Sequence, residues 1–161
     1  MEWSKIPGLS QAHMEQWLRT MTSPESPIPA HGVIPKLKPA FVSCGFEEGT
    51  LEMAYPVLDW ELNSQGILHG GVLSTALDTS LGMLCHYYTY PHVLTTVTMH
   101  ATFLKPIPPG DSFHIHAKLA SFGGTLATVT GEVMLEREKT LAAACTATFK
   151  VLHHKVKQAA E

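Results

Sequence analysis

From Gly71 to Tyr88 apolar residues recur at the three- and four-residue spacing of a helix, through Val72, Leu73, Ala76, Leu77, Leu81 and Leu84 to an aromatic end. This is the one long helix the pattern predicts. Ahead of it, Ala40–Gly49 and Thr50–Val57 read as two strands joined by a turn at Glu47-Glu48-Gly49. Behind it come four β-rich runs, at 92–105, 112–122, 125–135 and 140–154. Their connections are short and rich in Pro, Gly or charge, which makes consecutive runs antiparallel neighbours. Two strands, a helix and four strands predict an α+β fold in which a six-stranded antiparallel sheet wraps one long helix. At the N-terminal side, Ser10–Met21 reads as a short amphipathic helix with Ser10 as N-cap and Met14, Trp17, Leu18 and Met21 on one face. The stretch from Thr22 to Pro39 holds five prolines and reads as an irregular connection.

Composition narrows the class. A chain of 161 residues that is 45% hydrophobic and 16% charged is globular and long enough for one domain with a core. The expected division is an N-terminal helix and connection over 1–35, the sheet-and-helix domain over 36–155, and a tail over 156–161. A net charge of -3 without a basic block argues against nucleic acid as a partner. No apolar run approaches the roughly 20 residues of a membrane span, and the first residues lack a signal-peptide core. Cys44, Cys85 and Cys145 are odd in number and far apart, as expected for buried thiols in a reducing compartment. The expected location is therefore the cytoplasm.

Two features of the long helix call for chemistry. Asp78 interrupts the apolar pattern and shares a stripe with Gly71, Ser74, Thr75, Gly82 and Cys85, all small. A lone carboxylate is most often a solvated surface residue. The helix, however, opens on His69-Gly70-Gly71, and a helix N-terminus presents unpaired N–H groups that glycines leave accessible to an anion or polarised carbonyl. Such donors suit an oxyanion. Gly70 and Asp78 lie eight residues apart, about 12 Å along a helix. They cannot serve one carbon from one chain. Two helices antiparallel about a two-fold axis would bring Asp78 of one toward Gly70 of the other, so a catalytic reading predicts a homodimer.

Asn63, His69, Gly70, Gly71 and Asp78 form the pattern N-x5-HGG-x7-D. With this pattern and element order, the chain from Lys36 to His153 resembles the hotdog-fold acyl-CoA thioesterases. The group resembled includes the phenylacetate-pathway thioesterases and the mitochondria-associated thioesterase-superfamily enzymes. The resemblance implies hydrolysis of acyl-CoA to free acid and CoA, with no cofactor beyond the substrate's own CoA and no metal. It implies Asp78 as general base or nucleophile, the Gly70 N–H as carbonyl donor, Asn63 as an assisting amide and His69 as the local organiser. Gly71 is implied to contact substrate. Aligning the strand after the helix puts Thr96 where relatives carry a water-positioning hydroxyl, serine in some. Lys105 falls where relatives often carry an arginine, a partner for a CoA phosphate. The implied assembly is a homodimer or a dimer of dimers.

Two other readings stand beside this one: a hotdog dehydratase or hydratase, whose histidine context "ILHGG" lacks, and a non-catalytic acyl-CoA-binding or regulatory protein. His114 and His116 share one strand face, but no third metal ligand or metal motif accompanies them. Trp3 and Trp17 are candidates for an acyl pocket, with packing of the N-terminal helix the commoner use. His153 and His154 read as solvated. Aromatic, medium-chain and long-chain acyl groups fit the motif equally.

Overall fold

The computed structural model describes residues 8–155. Three helices, α1 (Gln11–Met21), α2 (Val33–Leu37) and α3 (Gly70–Thr89), accompany six strands. The strands are β1 (Ala40–Gly45), β2 (Thr50–Pro56), β3 (His92–Phe103), β4 (Ser112–Phe122), β5 (Leu126–Leu135) and β6 (Leu141–Lys155). They form one antiparallel sheet in the order β1-β2-β4-β5-β6-β3. β1 and β2 meet at a turn where Gly49 takes φ +63°, a conformation that costs glycine little. α3 leaves β2 near one edge of the sheet, crosses its face and delivers the chain to β3 at the opposite edge.

Alternation along the strands decides which side chains meet α3. Leu51, Met53, Ile115, Ala117, Val129 and Val133 are buried, while Glu52, His116 and Glu132 between them face away. Close approach requires a glycine at Gly131, where a Cβ would stand 2.8 Å from Leu81 Cδ1. On α3 itself, Leu73, Ala76, Leu77, Leu81 and Leu84 are buried, as their spacing predicts. Ser80 is buried too, and its hydroxyl lies 2.8 Å from that of Tyr55, so each has a hydrogen-bond partner.

α1 is part of this core. Ser10 caps it by accepting from the His13 N–H, and Met14 and Leu18 are fully buried. Gln11 ties it to the end of β1, donating to the Cys44 carbonyl at 2.9 Å and accepting from the Phe46 N–H at 2.8 Å. The Tyr87 hydroxyl donates to the Ser10 carbonyl at 3.2 Å, and Tyr88 donates to the Phe46 carbonyl at 2.6 Å.

The proline-rich connection is not wholly irregular, as the sequence reading had it. It contains α2, a single turn with Pro35 inside. Pro35 is the third residue of that turn, where an N–H would have no intrahelical acceptor, so proline is tolerated. A 3-10 turn at Asp59–Glu61, absent from the sequence reading, lies between β2 and α3. His153 and His154 lie at the end of β6. Trp3 and the tail 156–161 lie outside the described residues.

Candidate active site

His69 is the N-cap of α3, with extended backbone (φ -68°, ψ 130°). Its Nδ1 accepts from the Gly71 N–H at 2.9 Å, and its carbonyl accepts from Val72 and Leu73. The Gly71 and Val72 bonds satisfy two of the orphan donors of the first turn, and the His69 N–H, a third, donates to the Glu61 carbonyl at 2.8 Å. The Gly70 N–H has no acceptor among the described residues. Gly70 sits against the Phe103 ring, at 3.7 Å from where a Cβ would stand. Asn63 shapes the loop before the helix: its Oδ1 accepts from the Gln65 N–H at 2.8 Å and the Ile67 N–H at 3.3 Å. Gly70, Asn63, Phe103 and Lys105 line one cavity of about 360 Å³. Lys105 also pairs with Glu138 at 3.7 Å, and both are exposed.

Asp78 lies two turns further along, half-buried, and Thr96 Oγ1 donates to its Oδ1 at 2.8 Å. A bulge makes that contact. Thr98 pairs with Thr148, which faces outward, so in a regular strand Thr96 would face outward too. The register shifts between Thr96 and Thr98, and Thr96 pairs instead with the buried Phe149. The bulge turns Thr96 toward α3. The other helix hydroxyls do not reach the carboxylate. Ser74, Thr75 and Thr79 donate to the carbonyls of Gly70, Gly71 and Thr75. Oδ2 of Asp78 has no hydrogen-bond partner among the described residues.

Asp78 and Thr96 line a second cavity, about 610 Å³, together with Thr75, Gly82, His86 and Trp17. It shares no lining residue with the cavity at Gly70. Of the small residues on the predicted Asp78 stripe, Thr75 and Gly82 line this cavity, whereas Cys85 is buried in the core. Burial pushes the Cys145 thiol up to about 11, with the Asp78 carboxylate adding to the shift, and burial pushes Cys85 up to about 12. Neither thiol is set up as a nucleophile. The buried surroundings of His86 lower its pKa, opposed in part by its hydrogen bond to the His92 backbone.

Residues 65–142 match the family model of the thioesterase superfamily. A phenylacetic acid degradation-related protein of Ralstonia eutropha JMP134 superposes with TM-score 0.73 at 29% identity, covering 84% of this chain and 99% of that one. The E. coli PaaI protein of the phenylacetic acid degradation operon gives 0.74 at 19% identity, over 92% of this chain and 100% of its own. The fold is the hotdog fold. A third hotdog neighbour is a Streptococcus mutans UA159 protein solved bound to acetyl CoA, with TM-score 0.63 and 27% identity over 73% of this chain and 92% of that one. No curated protein matches the chain significantly.

A third cavity, about 620 Å³, lies on the sheet face turned away from α3, around Glu52, His116, Lys118 and Glu132. It holds none of the residues predicted for the site. His114 lies between two carboxylates, with Nδ1 2.7 Å from Glu52 and Nε2 2.6 Å from Glu136, while His116 Nε2 is 3.8 Å from Glu52. Both ring nitrogens of His114 are thereby engaged. No helix among the described residues is long and apolar enough to cross a membrane.

Proposed function

We propose that the protein hydrolyses acyl-CoA thioesters to free acid and CoA as a homodimer with two equivalent sites. Each site combines Asp78 and Thr96 of one chain with the partner's Gly70. The observation that carries this reading is the division of the site within one chain. The carboxylate and the free N–H stand eight helical residues apart and open into separate cavities.

The strand β3 supplies a way to join the halves. It is a twelve-residue edge strand, paired among the described residues only with β6, and Val97 and Phe103 are about half exposed. Such an edge is a template for pairing. Asp78 is anchored on Thr96 and Gly70 on Phe103, seven residues further along this strand. Two copies of β3 paired antiparallel about a centre between Met99 and His100 set Thr96 opposite the partner's Phe103. The carboxylate of one chain then faces the free N–H of the other.

In the reaction, water attacks the thioester carbon while Asp78 Oδ2 takes its proton. The Thr96 hydroxyl fixes the carboxylate through Oδ1. The partner's Gly70 N–H holds the oxyanion of the tetrahedral intermediate. Its collapse breaks the C–S bond and releases CoA thiolate, a good leaving group that recovers a proton from Asp78 or solvent. Direct attack by Oδ2, giving a mixed anhydride, uses the same atoms. Lys105, at the mouth of the Gly70 cavity, meets a CoA phosphate. Asn63 holds the loop that aims the N–H.

Thiol release from a panel of phenylacetyl-, hydroxybenzoyl-, hexanoyl- and palmitoyl-CoA tests the proposal. Turnover on at least one is expected, with Asp78→Asn lowering it by roughly 10²- to 10⁴-fold and binding retained. Tight acyl-CoA binding without turnover in the wild type would make this a binding protein and remove the catalytic role from Asp78.

A further inference from the structure

We infer that the cleft beside Asp78 receives a flexible, uncharged aliphatic acyl chain, and that the N-terminal segment from Trp17 to Ile34 is the wall that limits its length. This inference rests on the thioester reading of the site and assigns its acyl class.

The cleft starts at Asp78 and Thr96 and runs past Gly82 and Met83 to His86. Asp78 to His86 is eight helical residues, so the cleft extends about 12 Å from the reacting carbon along α3. Its floor is α3 with Leu94 and Phe149. At Gly82, one turn beyond Asp78, a Cβ would stand 3.5 Å from the Phe149 ring. The bare glycine keeps the passage open where a larger side chain would close it.

The opposite wall comes from outside the family-matched residues 65–142: Trp17 and Met21 of α1, Ile28 of the connection and Ile34 of α2. This wall is fixed in place. Trp17 packs 5.6 Å from the Tyr87 ring and 5.9 Å from His86, and α1 is pinned by Gln11, Tyr87 and its buried Met14 and Leu18.

The chemistry of the lining selects the ligand. A CoA nucleotide is polyanionic and finds no cation here, so the cleft takes the acyl end. Beyond Asp78 at its entrance, the only titratable lining group among the described residues is His86, whose charged form burial disfavours. A dicarboxylic acyl group would therefore be left unpaired. Thioether and branched alkyl side chains are the largest class of lining residue, with Met21 and Met83 adapting to a flexible guest. The length of the cleft exceeds what one aryl ring beside the carbonyl fills.

Non-hydrolysable S-alkyl-CoA thioethers test this without turnover, so the result is separable from the failure of the hydrolase reading. By calorimetry, Kd is expected to fall about threefold to fourfold per added CH2 from ethyl upward, and then to level off. Ile34→Trp should move that plateau to shorter chains and Met21→Ala to longer ones. The two act in opposite directions, so a simple loss of folding cannot imitate both. A Kd that is flat from ethyl to decyl, or an S-phenylethyl-CoA that binds tighter than every alkyl thioether, overturns the aliphatic assignment. A plateau identical in wild type and both variants overturns the role of the wall. Chain-length dependence without hydrolysis of any thioester would sustain this inference and sink the catalytic one.

Discussion

The two half-sites along α3 are built by different means. At the N-terminal end, the donor is set by local contacts: His69 caps the helix, Asn63 folds the loop that enters it, and the Gly70 N–H is left free. Eight residues on, the Asp78 half is assembled from distant parts of the chain. Its hydroxyl comes from β3, its floor includes Phe149 from β6, and its far wall comes from α1 and α2. A local site can be written as a motif. An assembled one depends on register, and a slip of one residue turns every side chain of a strand over.

The comparison breaks most sharply if each half is disabled separately. Asp78→Asn removes the carboxylate. Gly70→Pro removes the donor and leaves the helix start compatible with its backbone. Gly70 is the first helical residue, where proline is favoured, and His69 before it already has the extended backbone that a following proline requires. Its loss should cost roughly 10²- to 10³-fold in kcat. In a mixed dimer of the two variants, one composite site carries both lesions and the other carries neither. Random mixing makes about half the dimers mixed, so about a quarter of wild-type activity should return. Recovery of nothing, with mixed dimers demonstrated, would place both groups of a site in one chain.

A smaller effect isolates the bulge. Thr96→Val keeps shape and removes the hydroxyl that donates to the Asp78 carboxylate. A hydrogen bond to a charged group contributes about 1.5–3 kcal/mol, so kcat should drop roughly 10- to 100-fold with little change in KM. Thr96→Ser should restore most of it. A loss in KM alone would mean that Thr96 touches substrate and not the carboxylate.

The same contrast explains what the sequence disclosed. The six strands, the long helix and the capped α1 were legible because periodicity and turn residues are local signals. The HGG stretch and Asp78 were legible as a pattern, and the helical rise alone showed that they are too far apart to act together. Thr96 was reached by alignment on a strand. Its inward orientation was not, because plain alternation from Thr98 turns it outward and only the bulge at Val97 brings it in. The acyl wall was hidden for another reason. Five prolines suppress any periodic signal over 22–39, and the partners of Trp17 lie some 70 residues away in sequence. Gly131 was unremarkable within its strand, and only Leu81 reveals why nothing larger fits.

That packing gives a stability test independent of catalysis. Gly131→Ala drives a methyl into Leu81, and overpacking of this kind costs about 1–3 kcal/mol. Leu81→Ala on the Gly131→Ala background should recover part of the overpacking cost, seen as coupling between the two sites in denaturant unfolding. Strict additivity would mean that the helix stands further from the sheet than described.

The smallest expected effect lies in the aliphatic cleft itself, and it concerns pH. Burial lowers the pKa of His86 in the folded chain below the ordinary imidazole value, with the His92 backbone bond opposing. The unfolded chain therefore takes up this proton first as pH falls. Stability linked to His86 is fully present above about pH 6.5 and is lost as pH drops below that toward the folded value. His86→Phe keeps a ring against Trp17 and removes the titration. Urea unfolding at pH 7.5 and pH 5.5 should then show a smaller acid loss in the variant than in the wild type, a difference of less than one proton's linkage. The other histidines contribute equally to both proteins and cancel. An unchanged acid loss would mean that His86 takes its proton in the cleft as readily as in water, and would remove the argument that the far end of the cleft is uncharged.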